Sequence, residues 1–519
     1  MAIKRYFASK DNTITNALKT DLSTRATESN MGLADVLEVF SIYGQASSSS
    51  GLTSELSRVL LEFDVSDLSA DRTSGDLPAS GSVSFYLKMF NARHGQTLPK
   101  NFYMEVKAVT GSTAWEEGYG LDMEGYTDTA VNGTGSTWLS ASSADADGWT
   151  TTGGDYSNPD TDTSSSFSQY FDSGVEDLEI DITTLVEQWI NSAGNVLGSK
   201  TNYGVGVMLS SSHETESRSF YTKKFFARSS EFFFKRPVLE ARWDSRDLDN
   251  RGNFIYSSSL ATADENLNKI YLYNYFRGQL RNIPSIGTGN IYVSFFSGSA
   301  DDSAPSGSAL ELVIDGTHVT DNSRNRVVTG SYSSTGIYTA SVALTAASAP
   351  LDTVYDVWFS GSTSISDAAG ASVQFHTGTI TPSTVDSYEV APSDKYATNI
   401  TNLKKVYGRT ETARFRVFTR QKDWCPTIYT VASRAAEANH IESGSYKVFR
   451  VIDELDVVPY GTGSDLHTAM SYDLSGNYFD LDMSMLEAGF MYGIKFTYYN
   501  NSINDWVEQP EIFKFRVEE

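Results

Sequence analysis

The chain has 519 residues, with 40 Lys and Arg against 65 Asp and Glu, a formal charge of −25 at pH 7. That balance argues against nucleic-acid binding through a general basic surface, which draws its affinity from neutralising phosphates. The single cysteine, Cys425, excludes an intrachain disulfide framework and any Cys-rich metal site, and suits folding in a reducing cytosol as a buried small hydrophobe.

At about 150 residues per domain, the length predicts three or four domains, each able to bury its own core. The opening Met1-Ala-Ile-Lys-Arg-Tyr-Phe7 carries two cations but no apolar run after them. Nowhere do about 18 apolar residues follow one another, so neither a signal peptide nor a membrane span is expected. High Ser, Thr and aromatic content favours strands and turns. Period-two alternation predicts strands over Ser82–Phe90, Asn290–Phe296 and Ala413–Phe418.

Residues 101–200 hold 17 acids against 2 bases, and within them the polar stretch 140–168 reads as a long, mobile surface excursion. Next comes the clearest helix, Ile182 to Ile190, where Ile182, Leu185, Val186 and Trp189 share one face and Thr183 and Thr184 are candidate caps. Apolar alternation stops at Asp244–Asn253 and again at Thr381–Lys395, dividing the chain into residues 1–245, 246–385 and 386–519. Residues 404–422 carry seven bases, Lys404, Lys405, Arg409, Arg414, Arg416, Arg420 and Lys422, against Glu411 alone. A stripe this biased is either a solvated face or an assembly patch that meets the acidic surface of a neighbouring subunit. Ser433 to His440 is a weaker helix candidate.

The second and third parts repeat one plan. Gly336-Ile-Tyr338 opens a strand and Tyr355-Asp-Val-Trp-Phe359 follows; Gly476-Asn-Tyr478 and Tyr492-Gly-Ile-Lys-Phe496 do the same. Val373-Gln-Phe375 and Phe513–Val517 then close each part. Such pairs suit neighbouring strands of a sandwich, so the expected fold class is all-β, with two tandem immunoglobulin-like sandwiches after the first domain.

The first part carries five ordered segments: Asp11-Asn-Thr-Ile14, Arg58-Val-Leu-Leu-Glu-Phe-Asp64, Trp115-Glu-Glu-Gly118, Asp181–Trp189 with Asn202-Tyr-Gly204, and Arg236–Trp243. In them it resembles the DNRLRE-type β-sandwich module, a jelly-roll relative found in surface and carbohydrate-associated proteins. The polar insertion near 140–168 is longer than that module usually carries. With Asp249-Asn-Arg-Gly-Asn-Phe254 and Asn477–Leu486 added, the whole arrangement is similar to virion structural proteins of contractile-tailed (myovirus-type) phages of marine bacteria. That resemblance implies a non-enzymatic part of a particle, made in the host cytoplasm and assembled in multiple symmetric copies with other virion structural proteins. It leaves capsid decoration, neck, tail and baseplate open. The alternative is a carbohydrate-binding adhesion protein that contacts a host-surface glycan.

No catalytic, cofactor or metal site is expected. The six histidines, His94, His213, His318, His376, His440 and His467, show no metal-ligand spacing. Neither a Gly-x-Ser-x-Gly elbow nor a Walker A loop occurs. Glu116 and Glu117 point to opposite faces of a strand and make a poor hydrolytic pair. Asp145-Ala-Asp147-Gly148 starts like a calcium loop, but Tyr156 stands where the closing Glu belongs. Phe220–Arg228 with Phe232–Arg236 interleaves bases and aromatics, which reads as core strand more readily than as a single-strand platform. Trp115, Trp138 and Trp149 would stack on sugars if exposed, although burial is the commoner fate.

Overall fold

The computed structural model describes residues 2–48, 51–111, 114–121, 126–127, 135–142, 148–298, 306–313, 318–321, 324–346, 348, 350–361, 374–384, 395–422, 428 and 440–519, with backbone alone at 306, 318–321 and 324. Cys425, the Asp145–Asp147 motif, residue 373, the 385/386 division and all of the 433–440 helix candidate but His440 lie outside the described residues; His440 itself is not helical. Strand makes up 47 % of the chain and helix 8 %, so the fold is all-β. Among the described residues, no helix is long and apolar enough to cross a membrane. Contacts group the chain into two units: Met1–Asp244 with Gly461–Thr468 and Met485–Glu487, and Ser245–Tyr460 with Ala469–Ser484 and Ala488–Glu519.

Among the described residues the first unit has ten strands: β1 (Ile3–Thr15), β2 (Val36–Ser48), β3 (Gly51–Phe63), β4 (Ser84–Met89), β5 (Phe102–Ala108), β6 (Ser166–Phe171), β7 (Leu178–Asp181), β8 (Val205–Leu209), β9 (Phe220–Phe226) and β10 (Val238–Arg242). They run in the order β6-β5-β8-β3-β1-β10-β4-β7, with β2 joining β3 to β9. Long β1 serves two ladders: Ile3–Phe7 pair with β10 and Ala8–Thr15 with β3, across a bulge between Ala8 and Lys10. A bulge bends and twists a strand, which lets one chain pass from one sheet to the other. Alternation sorts β5, while β8 and β10 are buried at every position. On β5, Phe102, Met104, Val106 and Ala108 are buried in the core while Tyr103, Glu105 and Lys107 face outward.

Among the described residues this unit also has three short α-helices. The helix expected at 182–190 is α2 (Thr183–Ile190), and Leu185, Val186 and Trp189 enter the core. Its cap differs from the expectation: the Asp181 carboxylate accepts from the Thr183 amide, while the Thr184 hydroxyl donates to the Ser164 carbonyl. Two helices went unread. α1 (Val65–Ser74) starts at a capping Asp64 and ends at Gly75 in the left-handed region. α3 (Ser211–Thr215) follows β8 directly.

The excursion expected to be mobile is, where described, part of a second core. Trp149 is 7 % exposed and its Nε1 donates to the Thr137 carbonyl at 2.9 Å. With Ile14, Leu60, Val109, Trp115 and Trp138 it forms an apolar cluster separate from the main one. All three tryptophans considered for sugar stacking are therefore buried.

Among the described residues the second unit has a nine-stranded sheet in which β11 (Asn268–Tyr273), β14 (Ile291–Gly298), β18 (Arg324–Ser334), β19 (Ile337–Leu344), β20 (Val354–Phe359) and β21 (Gln374–Ile380) form the path β11-β19-β18-β14-β20-β21. The short strands β15 (Ser306–Ala309), β16 (Leu312–Val313) and β17 (His318–Asp321) attach to it, and β12 (Tyr275–Phe276) pairs with β13 (Gln279–Leu280) as a separate hairpin. Trp358, Tyr338, Phe295 and Ile270 fill its core. Toward the C-terminus, β22 (Tyr396–Ile400), β24 (Thr412–Gln421), β28 (Gly476–Asp482) and β27 (Ser471–Asp473) make a four-stranded sheet. β23 (Val406–Gly408), β31 (Phe513–Glu518), β29 (Met491–Asn500), β25 (Gly444–Arg450), β26 (Leu455–Val458) and β30 (Asp505–Glu508) make a six-stranded one. Rings from both meet between them: Phe479 of the first lies 3.9 Å from Tyr446 and 6.0 Å from Phe496 of the second.

The repeated strands are not neighbours as expected. β19 and β20 are separated on their path by β18 and β14, and β28 and β29 belong to different sheets. The shared glycine has a backbone reason: Gly336 and Gly476 take φ of 74° and 113°, leading out of the turns into β19 and β28. The Asp244–Asn253 stretch is likewise tighter than a linker. Asp249 is 3 % exposed and caps Arg251, and the Arg251 guanidinium grips Asp356 at 2.7 and 2.6 Å.

Candidate functional site

Of the seven stripe cations, three alternate on β24. Arg414, Arg416 and Arg420 face out while Ala413, Phe415, Val417 and Thr419 are buried. The structure spends much of this charge inside the unit. Arg414 binds Asp480 through two bonds at 2.8 and 2.9 Å, Arg416 binds Asp473 at 2.6 Å, and both guanidinium groups lie over the Tyr478 ring. Lys404 pairs with Glu411 at 2.6 Å and Arg409 with Glu519 at 3.3 Å. Lys405 is exposed, with its backbone carbonyl accepting from Arg516, and the Lys422 amide donates to the Lys395 carbonyl. Charge that looks unopposed along the sequence is thus opposed across the fold by carboxylates up to 110 residues away.

The carboxylates weighed for catalysis are committed structurally. Glu117 takes two bonds from Arg228 at 2.7 and 2.6 Å and one from the Asp11 amide at 3.0 Å, while Glu116 accepts from the Gly135 amide. Beneath them, burial pushes the Asp11 carboxyl up to about 7, against the amide donor of Arg228. On β9, Lys223 is fully buried and gives three hydrogen bonds, to Asn91 Oδ1 and to the Gly174 and Glu176 carbonyls, at 2.6 to 3.0 Å. Desolvation lowers it to about 8. The Phe220–Phe226 half of this stretch is strand with Phe220, Lys223 and Phe225 buried, whereas Phe233–Lys235 form a short 3-10 turn after an exposed Phe232. Among the described residues no three or more His, Cys, Asp or Glu side chains come together as a metal-ligand group.

Two features escaped the sequence reading. The first is the β12–β13 hairpin. Arg277 and Gly278 both have positive φ, 53° and 79°, as a two-residue hairpin turn of the primed type requires. Its base is tied to the Gly336 turn through Asn274, which donates to the Gly336 carbonyl and accepts from the Arg281 amide. The tip stands free: Tyr275 is 61 % and Phe276 52 % exposed, and Arg277 and Arg281 both lie over the Phe276 ring at 5.3 and 5.4 Å. Neither arginine has a carboxylate partner among the described residues.

The second feature is a cleft of about 680 Å³ on the outward face of β3, β8 and β5 in the first unit. Arg58, Met208, Glu105 and Lys107 line the strand side; Thr150, Thr151, Asp155, Tyr156 and Asn158 line another side, and Ser211 and Glu214 belong to α3. Arg58 is the clasp. Its guanidinium binds Glu214 twice, at 2.9 and 2.5 Å, donates to the Gly153 carbonyl at 2.8 Å, and lies over the Trp138 and Tyr156 rings. Gly206 leaves room for Tyr156, since a Cβ there would stand 2.1 Å from its ring. Lys107 pairs with Glu105 at 2.5 Å, and Asp155 accepts the Thr150 and Thr151 amides.

No family model matches the chain, and no curated protein matches it. Among solved structures, Salmonella alpha-2-macroglobulin reacted with methylamine aligns at 7 % identity and a TM-score of 0.15, over 99 % of this chain and 26 % of that one. The chain spans about a quarter of that protein's length, and a likeness this faint carries no argument about fold or function.

Proposed function

We propose that this chain is a non-enzymatic structural subunit of a tailed-phage virion, working by docking against other virion proteins in several symmetrically placed copies. It would be made in the host cytoplasm and carried in the neck, tail, baseplate or capsid decoration. The observation that supports docking is the β12–β13 hairpin. Two half-exposed rings, Arg277 on the turn and Arg281 beside its anchored base, with no carboxylate partner for either arginine among the described residues, match the aromatic and Arg composition of interface hot spots. Cations on and beside the turn suit an acidic partner surface. Identity as a virion part rests on the resemblance of the quoted segments.

The test is incorporation. Phe276→Ser with Arg277→Ser leaves the buried cores untouched, so the variant should fold with an unchanged circular dichroism spectrum. Quantitative mass spectrometry of purified particles should find it depleted about tenfold against wild type, the ratio expected from losing two interface anchors. Equal incorporation would remove the hairpin from the assembly.

A further inference from the structure

The cleft of the first unit does not stop at its lining residues. Along β5, side chains two apart stand on one face about 7 Å from each other, so Tyr103 follows directly after Glu105 and Lys107. The β5–β6 register sets Tyr170 opposite Tyr103 and Ser168 opposite Glu105. The two rings lie 5.0 Å apart, His213 stands 6.4 Å on the other side of Tyr103, and Tyr103 and Tyr170 are 48 % and 47 % exposed. The Tyr170 hydroxyl donates to Asn101 Oδ1 at 2.9 Å, which fixes that ring. An aromatic shelf therefore continues a polar cleft on a single sheet face.

We infer that this face binds a neutral glycan, with sugar rings stacked on Tyr103 and Tyr170 and the chain running into the cleft between Glu105, Lys107, Asn158 and Ser211. The chemistry is that of a carbohydrate. C–H groups on a pyranose face meet the negative faces of aromatic rings, and hydroxyls, each donor and acceptor at once, need carboxylates, ammonium groups, amides and hydroxyls side by side. A cavity of about 680 Å³ is in the size range of small-ligand sites. Neutrality follows from charge: Arg58 and Lys107 are outnumbered by Glu105, Asp155 and Glu214, each cation already faces a carboxylate, and the chain carries −25, so an anionic sugar is repelled. The Arg58–Glu214 clasp and the Asp155 turn fix two walls of the cleft through internal bonds, which limits the ordering cost of binding. The residues of this site belong to the first unit and those of the β12–β13 hairpin to the second.

The experiment is isothermal titration of the full chain with cellohexaose, mannohexaose and chitohexaose as neutral probes and dextran sulfate as the anionic one. Saturable binding of at least one neutral probe is expected, with no binding of dextran sulfate. Tyr103→Ala with Tyr170→Ala should weaken it about tenfold or more, because both rings are half exposed and their removal opens no core cavity. Ser211→Trp, at an exposed rim position, should block the cleft and abolish binding with both tyrosines present. Failure of all three neutral probes to bind at about 1 mM, the weak end of specific recognition, overturns the inference. So does neutral-probe binding that both variants retain, or binding of dextran sulfate alone.

Discussion

Replacing Arg251 by Ala tests whether the stretch after the first unit is a clasp or a tether. Asp356 has no exposed side-chain surface and receives three hydrogen bonds, two from Arg251 and one from Trp358 Nε1 at 2.7 Å. Burial alone would raise its pKa, and the Arg251 bonds and charge hold it below the ordinary carboxylate range. Without the guanidinium, a buried carboxylate keeps a single donor. Breaking such a pair costs about 3–5 kcal/mol, or roughly 6–20 °C in melting temperature for a domain of some 150–250 residues. The double variant Arg251→Leu with Asp356→Leu leaves no charge behind and should recover most of the loss. Urea unfolding followed by tryptophan fluorescence, with calorimetry in parallel, reads both. A loss under about 1 kcal/mol for Arg251→Ala, or a double variant no more stable than the single, would refute the clasp. The low folded pKa also fixes the pH direction: this stabilisation is present at neutral pH and disappears as the medium is acidified through the carboxylate range.

Asp11 runs the other way. Its folded carboxyl is raised from the ordinary 3.8 to about 7, so it favours the folded state most below pH 4 and that benefit declines up to about pH 7. Asp11→Asn should flatten that part of the melting-temperature profile, and an unchanged slope would contradict the assignment. Trp149→Ala removes a buried ring from the second core and should cost about 3–5 kcal/mol in chemical denaturation, whereas a mobile excursion would lose almost nothing. Arg414→Ser with Arg416→Ser breaks pairs on a partly exposed face, worth about 0–1 kcal/mol each, so calorimetry should find the fold intact. If the stripe also docks on a neighbour, that variant should be depleted from particles; equal incorporation would leave the hairpin as the docking element.

Local patterns were legible and long-range partners were not. Strand alternation located β4, β14 and β24 to within a few residues, and a four-residue apolar face located α2. α1 was missed because only Leu68 of its ten residues is buried, which leaves no apolar period; its readable signals were Asp64 at one end and Gly75 at the other. Trp149 reads as surface because it sits in a Ser, Thr, Asp and Gly stretch, and only contact with Trp138 and Trp115 makes it core. The stripe 404–422 reads as almost unopposed because Asp473 and Asp480 reach it from β27 and β28, more than 50 residues on. The hairpin had a local signal in Arg277-Gly278 between Tyr-Phe and Gln-Leu. The cleft had none, since β3, β5, β8 and α3 meet only in the fold.

A cryo-EM map of the purified particle tests the central claim most directly. The account predicts density for this chain in multiple symmetric copies, with Tyr275, Phe276 and Arg277 buried against a neighbouring subunit. Absence of the chain from the particle, or copies whose hairpin faces only solvent, would contradict it.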